Sequence, residues 1–349
     1  MPSTQPPGLG RLARLRRFLR AHPIVFLALL TPGIPEYLSG SSPFSNVLYN
    51  PFWLVLGLGF NLGMYLPGVL LVREAQIRWN KGWATVVTLG AAYAIVEEGL
   101  GLSTMFNPQS TAAGAAGAYG HALGVNWVWV PEVMLVHMVY SIGLPILLFW
   151  FAIPDLRGKS LLNRRGIITA FAIFAIDIVL LAATVGRING FWMGDPVLLG
   201  SLLSVGALVG LAYLWPRDLL RPAPGAPRRG VLAFGLVGAI FFVGLLLVPS
   251  VLESWHVPAG IVAASVPVYA GAILWWVLRN LGDQGSERRL LALSVGLLLP
   301  IVAIGIVTQF RLPIVLLADL FVYLFFRELF AAQAERRPPF AAGRSTAAV

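Results

Sequence analysis

The feature that most constrains this chain is a succession of apolar stretches, each roughly 20 residues long, with charge confined to the joins between them. Only 11% of the 349 residues are charged and 58% are hydrophobic, whereas soluble domains carry about 25% charged residues. Such a sequence has too little polar surface to face water. In hydrocarbon, every backbone N–H and C=O must be satisfied internally, which leaves helices or closed barrels, and the unbroken apolar runs select helices. The expected fold is therefore an all-α, polytopic integral membrane bundle of ten transmembrane helices. Their approximate spans are 23–40, 51–79, 82–106, 126–153, 165–186, 196–215, 230–249, 257–278, 290–308 and 312–330.

Orientation follows from the basic residues. With the N-terminus in the cytoplasm, every Lys and Arg except Arg187 and Arg311 falls on the cytoplasmic side, as the positive-inside rule requires. The tryptophans agree, because all 11 lie near span ends, where amphipathic indoles settle. Trp53, Trp127, Trp129, Trp192 and Trp255 mark the outer belt. A multi-pass protein of the cytoplasmic membrane, with both termini inside and the lipid bilayer as its first partner, is the expectation. The net charge of +10 does not indicate nucleic acid, since the arginines are scattered among short loops rather than set in a stripe with stacking aromatics. The chain has no cysteine, so thiolate chemistry and disulfides are excluded.

Five regions are expected. Residues 1–22 form a basic amphipathic segment, with Leu12, Leu15 and Leu19 on one face, suited to an anionic membrane surface. No A-x-A-like cleavage site follows, so the segment is expected to be retained. Residues 23–215 (spans 1–6) hold the polar residues, 216–229 form a Pro/Arg-rich cytoplasmic loop, 230–332 (spans 7–10) are almost uncharged, and 333–349 form a disordered tail. Thr31-Pro32-Gly33-Ile34-Pro35 should break the first span, because proline removes a donor and glycine admits unusual dihedrals. Ten spans admit a five-plus-five inverted repeat, although the two halves show no self-similarity. The long outer connection Asn107–Val125 is either a lid over a pocket or a plain connector.

Glu97 and Glu98 lie deep in the third apolar run, where ionisable groups are costly unless they face a polar interior. Glu97 is 16 residues past Lys81, about 24 Å at 1.5 Å per residue, in the outer third of the hydrocarbon core. Glu36, Glu132 and His137 reach a similar level, so these five are expected to line one cavity opening to the non-cytoplasmic side. Tyr93 flanks Glu97 at i−4, and Tyr140 and Ser141 share a face with His137. Asn61 lies along the second span and His121 near the end of the outer loop, both candidate lining residues. Asp177 and Asp319 are candidates for a proton route. Plainer roles stand beside these: Glu132 stabilising a helix N-terminus, His137 packing as a hydrogen-bonded core residue, Glu97 and Glu98 accepting backbone donors of the broken first span, and Gly59/Gly63 marking close helix packing. Arg73-Glu74 and Arg327-Glu328 are expected to snorkel and pair locally.

The Glu97-Glu98 pair followed by His137-Met-Val-Tyr-Ser141 resembles the CAAX-protease-like intramembrane metalloproteases. That family carries E-E-x-x-x-R, F-x-x-x-H and H-x-x-x-N/D motifs on separate spans. Here Leu102 stands for the Arg, Ser141 for the Asn or Asp, and the remaining histidine has only His121 as a candidate. The resemblance implies a divalent, zinc-like metal, Glu97 and Glu98 as catalytic carboxylates, and His137, Glu98 and Glu132 as ligands. Two further functions remain open beside a metal-dependent hydrolase: a proton- or ion-coupled transporter of a small molecule or lipid, and a non-catalytic subunit bound to membrane-protein partners. The substrate is not specified by the sequence.

Overall fold

The computed structural model describes residues 17–42, 51–112, 119–283, 286–309 and 313–335. Most of the basic N-terminal segment, through Arg16, lies outside the described residues, as do Arg311 and the tail after 335. The chain is 77% helical with almost no strand. Its helices are α1 (Pro23–Leu38), α2 (Pro51–Arg78), α3 (Trp83–Ala94), α4 (Trp129–Ala152), α5 (Arg164–Asn189), α6 (Asp195–Leu214), α7 (Val231–Ser254), α8 (Ala259–Leu281), α9 (Glu287–Gln309) and α10 (Pro313–Glu335). Among the described residues, six of them, α4 to α9, are long and apolar enough to cross a membrane, and α1 is a shorter apolar helix.

Among the described residues, three helices carry a π-helical turn: Gly33–Leu38 in α1, Ile95–Gly101 continuing α3, and His137–Gly143 inside α4. Proline accounts for two of them. Pro35 cannot donate to the carbonyl of Thr31, nor Pro145 to that of Ser141, so the α-helical ladder is interrupted and a wider turn absorbs the loss. The break expected at Thr31–Pro35 is thus a bulge in a continuing helix. The second turn contains no proline; Gly99 and Gly101 lie within it.

Helices α2, α3 and α4 pack with α1 and α5 around Tyr65, Val69, Val86, Tyr93, Ile146 and Phe149. A second core joins α4 to α7, α8 and α9 through Tyr140, Leu148, Phe241, Val266 and Leu297. Helices α7 and α9 are in direct backbone contact, since a Cβ on Gly296 would run into the carbonyl of Gly235, the close approach that small residues permit between membrane helices. Loop 216–229 is pinned to the end of α8: Ala223 N donates to Leu278 O (2.8 Å) and Arg228 N to Asn280 O (3.0 Å).

On the other face, the Asn107–Val125 connection ends in a short antiparallel hairpin, β1 (His121–Ala122) with β2 (Val125–Asn126). Asn126 then caps α4, its Oδ1 accepting from Val128 N (3.1 Å) and Trp129 N (2.9 Å), which fixes where that helix starts. The Tyr119 hydroxyl donates to Val257 O, tying the connection to the α7–α8 turn. Residues 113–118 of this connection lie outside the described residues.

Candidate metal centre

Two π turns build the centre. In a regular α-helix adjacent residues diverge by about 100°, which would let Glu97 and Glu98 border one space without meeting the same group. Here both reach one imidazole from opposite sides. Glu97 Oε2 lies 3.0 Å from His137 Nδ1, and Glu98 Oε1 lies 3.0 Å from Nε2. His137 is presented by the π turn of α4, and Ser141 Oγ stands 2.9 Å from Nδ1. Candidate ligand atoms of Glu97, Glu98 and His137 all lie within 4.8 Å of one another.

The group is sealed. Glu97 is 1% exposed, His137 4% and Glu98 9%, so these residues form a packed cluster rather than the wall of a cavity open to the outside. Burial at this level demands partners for every polar atom, and the supply is uneven. Glu98 accepts from the Thr104 hydroxyl, which itself accepts from Trp129 Nε1 at 3.1 Å. The Glu97 carboxylate interacts with His137 Nδ1 and with the Tyr93 hydroxyl, although neither contact is a well-aligned hydrogen bond. A doubly protonated ring can donate once from each nitrogen, and Nδ1 already faces both Ser141 and Glu97. Two carboxylates therefore compete for one imidazole.

Glu36 joins this system at one remove. Its Oε1 accepts from Tyr65 Oη (2.6 Å) and its Oε2 from Ser42 Oγ (2.6 Å), and its charge interacts with Glu97 and His137. The Tyr65 and Tyr93 rings are 6.2 Å apart and Tyr93 and His137 5.9 Å, so ring packing continues the Ser42–Glu36–Tyr65 hydrogen-bonded chain to His137. Asn61 supports its edge by donating to Tyr37 Oη at 3.3 Å.

Other expected members are placed elsewhere. Glu132 is buried, but it lies outside the three-residue group and interacts with the charge of Glu253 on α7. Its position in the first turn of α4 suits the macrodipole role, and one helical turn and more separates it from His137. His121 sits on β1, where partial burial holds its imidazole below the ordinary histidine pKa. The Tyr140 ring turns toward Phe242 (5.5 Å, edge-on), and its hydroxyl has no hydrogen bond. Asp177 and Asp319 have no hydrogen bond to the centre, and Oδ2 of each lacks a partner.

Sequence reasoning placed Tyr65 beside Asn61 on the second span without a partner, and missed Thr104 and Trp129. Thr104 follows Glu98 by six residues across the end of a helix, where no periodicity argument applies. Trp129 looked like an interfacial belt residue. No protein-family model, curated protein or solved structure matches the chain.

Proposed function

We propose that this chain spans the membrane ten times with both termini in the cytoplasm, and that Glu97, Glu98 and His137 hold a divalent metal in an intramembrane hydrolase. The observation that carries this is a buried Glu-Glu-His set whose ligand atoms fall within 4.8 Å, with two carboxylates sharing one imidazole. The donor set fits a zinc-like ion: two carboxylates and one imidazole are ordinary ligands, and three protein ligands leave a position for water or substrate. A bound metal would supply Lewis-acid polarisation of the bond to be cleaved.

The chain's own residues then have distinct tasks. Ser141 at Nδ1 orients the His137 ring and leaves Nε2 facing Glu98, the outer-shell support that metal-ligating histidines commonly have. Thr104, held by Trp129, fixes the Glu98 carboxylate. Glu97, the carboxylate whose contacts are the less well aligned, is the residue to accept a proton from attacking water. The likeness of Glu97-Glu98 and His137-x-x-x-Ser141 to the CAAX-protease-like motifs supports the same assignment. Glu36 is the nearest carboxylate to complete the set; Glu132 is not part of it.

A second reading, proton- or cation-coupled transport, is favoured by the array Ser42–Glu36–Tyr65–Tyr93, which leads from the π turn of α1 to His137. Metal analysis of purified wild type beside Glu97→Gln and His137→Ala tests the proposal. Metal in the wild type and its loss in both variants is expected, together with metal-dependent cleavage of a membrane peptide or ester abolished by Glu97→Gln. Equal metal content near zero in all three removes the hydrolase. Proton uptake into proteoliposomes that depends on Glu36 and needs no metal would put transport in its place.

A further inference from the structure

A different carboxylate is left over by this chemistry. Asp177 lies in the middle of α5, 13 residues from Arg164 and 12 from Asn189, hence about 20 Å from the helix start at 1.5 Å per residue. In a hydrocarbon core about 30 Å thick, that depth is beyond lipid headgroups and hydrated ions. The side chain tucks against α2 only because Gly63 is there, since a Cβ at Gly63 would lie 2.6 Å from Asp177 Oδ1. Its Oδ2 has no hydrogen-bond partner.

Asp177 lines a groove of about 360 Å³ between α2 and α5, formed otherwise by Gly59, Phe60 and Gly63 on one side and Ile173, Ile176 and Leu180 on the other. The groove opens on the outside of the bundle: Ile173, Ile176 and Leu180 are exposed, and Gly59 has nothing within 4 Å of a Cβ built on it. An intramembrane carboxylate on the wall of a groove that opens onto lipid, with one oxygen buried and unpaired, is expensive unless something donates to it. Glycines one turn apart, with free space above one of them, admit a helix at close range.

We propose that this groove receives a transmembrane helix of another protein, carrying a Lys or Arg at mid-membrane depth that pairs with Asp177. Charge and depth together select this occupant. A second copy of the chain does not provide it: α3 to α9 carry Lys and Arg only in their first or last turns, Arg73 of α2 is buried on the Leu156 and Lys159 carbonyls, Arg327 of α10 already pairs with Glu328, and a symmetric contact would set one Asp177 against another. The site is separate from the Glu97 centre, although Phe174, one turn from Asp177, packs on Tyr93 with centroids 5.8 Å apart.

The test uses the full chain in lipid vesicles with three synthetic polyleucine transmembrane helices bearing a central Lys, Leu or Glu, and association read by energy transfer between labels. The Lys helix is expected to bind roughly threefold to tenfold more tightly than the Leu helix, the scale of polar contacts between membrane helices, and the Glu helix no better than Leu. That advantage disappears in Asp177→Asn. Gly59→Leu, which enters open space and leaves the carboxylate in place, blocks the groove and also removes it. Equal binding of all three helices to the wild type, or an advantage for Lys that survives both substitutions, overturns the proposal.

Discussion

Among the described residues, two pairs of consecutive charged residues are buried, and they are finished to different degrees. Arg73-Glu74, near the C-terminal end of α2, is the more fully paired, with only Arg73 Nε left without a partner. The Arg73 guanidinium donates to Leu156 O (2.6 Å) and Lys159 O (2.8 Å) and lies 4.9 Å from the Phe149 ring centre. Glu74 accepts from Leu161 N (2.6 Å), Arg78 Nε (3.1 Å) and the Ser160 hydroxyl. Together they clasp the loop that leaves α4. Glu97-Glu98 is less finished: two carboxylates share one imidazole, and the contacts of Glu97 Oε2 and the Tyr93 phenol are poorly aligned. A satisfied network rigidifies a fold, whereas carboxylates competing for one imidazole in a sealed place leave room for a cation.

The sharpest way to break this contrast is to remove one member of each pair and follow unfolding in detergent. Arg73→Met leaves Glu74 buried with only the half-exposed Arg78, and should cost about 3–5 kcal/mol, as breaking a buried pair from one side does. Glu97→Gln removes a like charge from an overcrowded group and should change stability by less than about 1 kcal/mol, or raise it. Equal losses in the two variants would mean that both pairs are structural. The next largest effect is linkage to metal. Zinc at about one hundred times its dissociation constant should stabilise the wild type by about 2.7 kcal/mol and leave Glu97→Gln unmoved, as thermal unfolding with and without zinc or chelator would show.

The contrast also marks where sequence was informative. The apolar run lengths and the tryptophans anticipated a helical membrane bundle, and the depth count from Lys81 brought Glu97, Glu98 and His137 to one level because rise per residue is nearly constant in any helix. Azimuth was not legible. A π turn adds a residue to a turn and rotates everything after it, so Tyr140, on the same predicted face as His137, turns to Phe242, while the adjacent glutamates meet one ring. Glu132 fits the depth count yet faces Glu253, because depth says nothing about which neighbour a helix face meets. Arg73 was expected to snorkel; its partners are carbonyls of a loop more than 80 residues later, a contact with no local signature.

Smaller perturbations sharpen the comparison from the outer side. Ser141→Ala removes the hydroxyl 2.9 Å from Nδ1 without touching a ligand, and should weaken metal affinity about 10- to 100-fold, measurable by competition with a chromogenic chelator. Unchanged affinity would mean that packing alone orients the ring.

The smallest expected effect separates the two functional readings. Tyr65→Phe deletes the 2.6 Å donor to Glu36 and should cost about 1 kcal/mol of stability, the net worth of a typical hydrogen bond. If the array from Ser42 to Tyr93 only packs around a metal centre, metal affinity and cleavage stay near wild-type levels. If the array carries protons, uptake into proteoliposomes falls while metal content stays the same, because Tyr65 touches Glu36 and none of the three ligands.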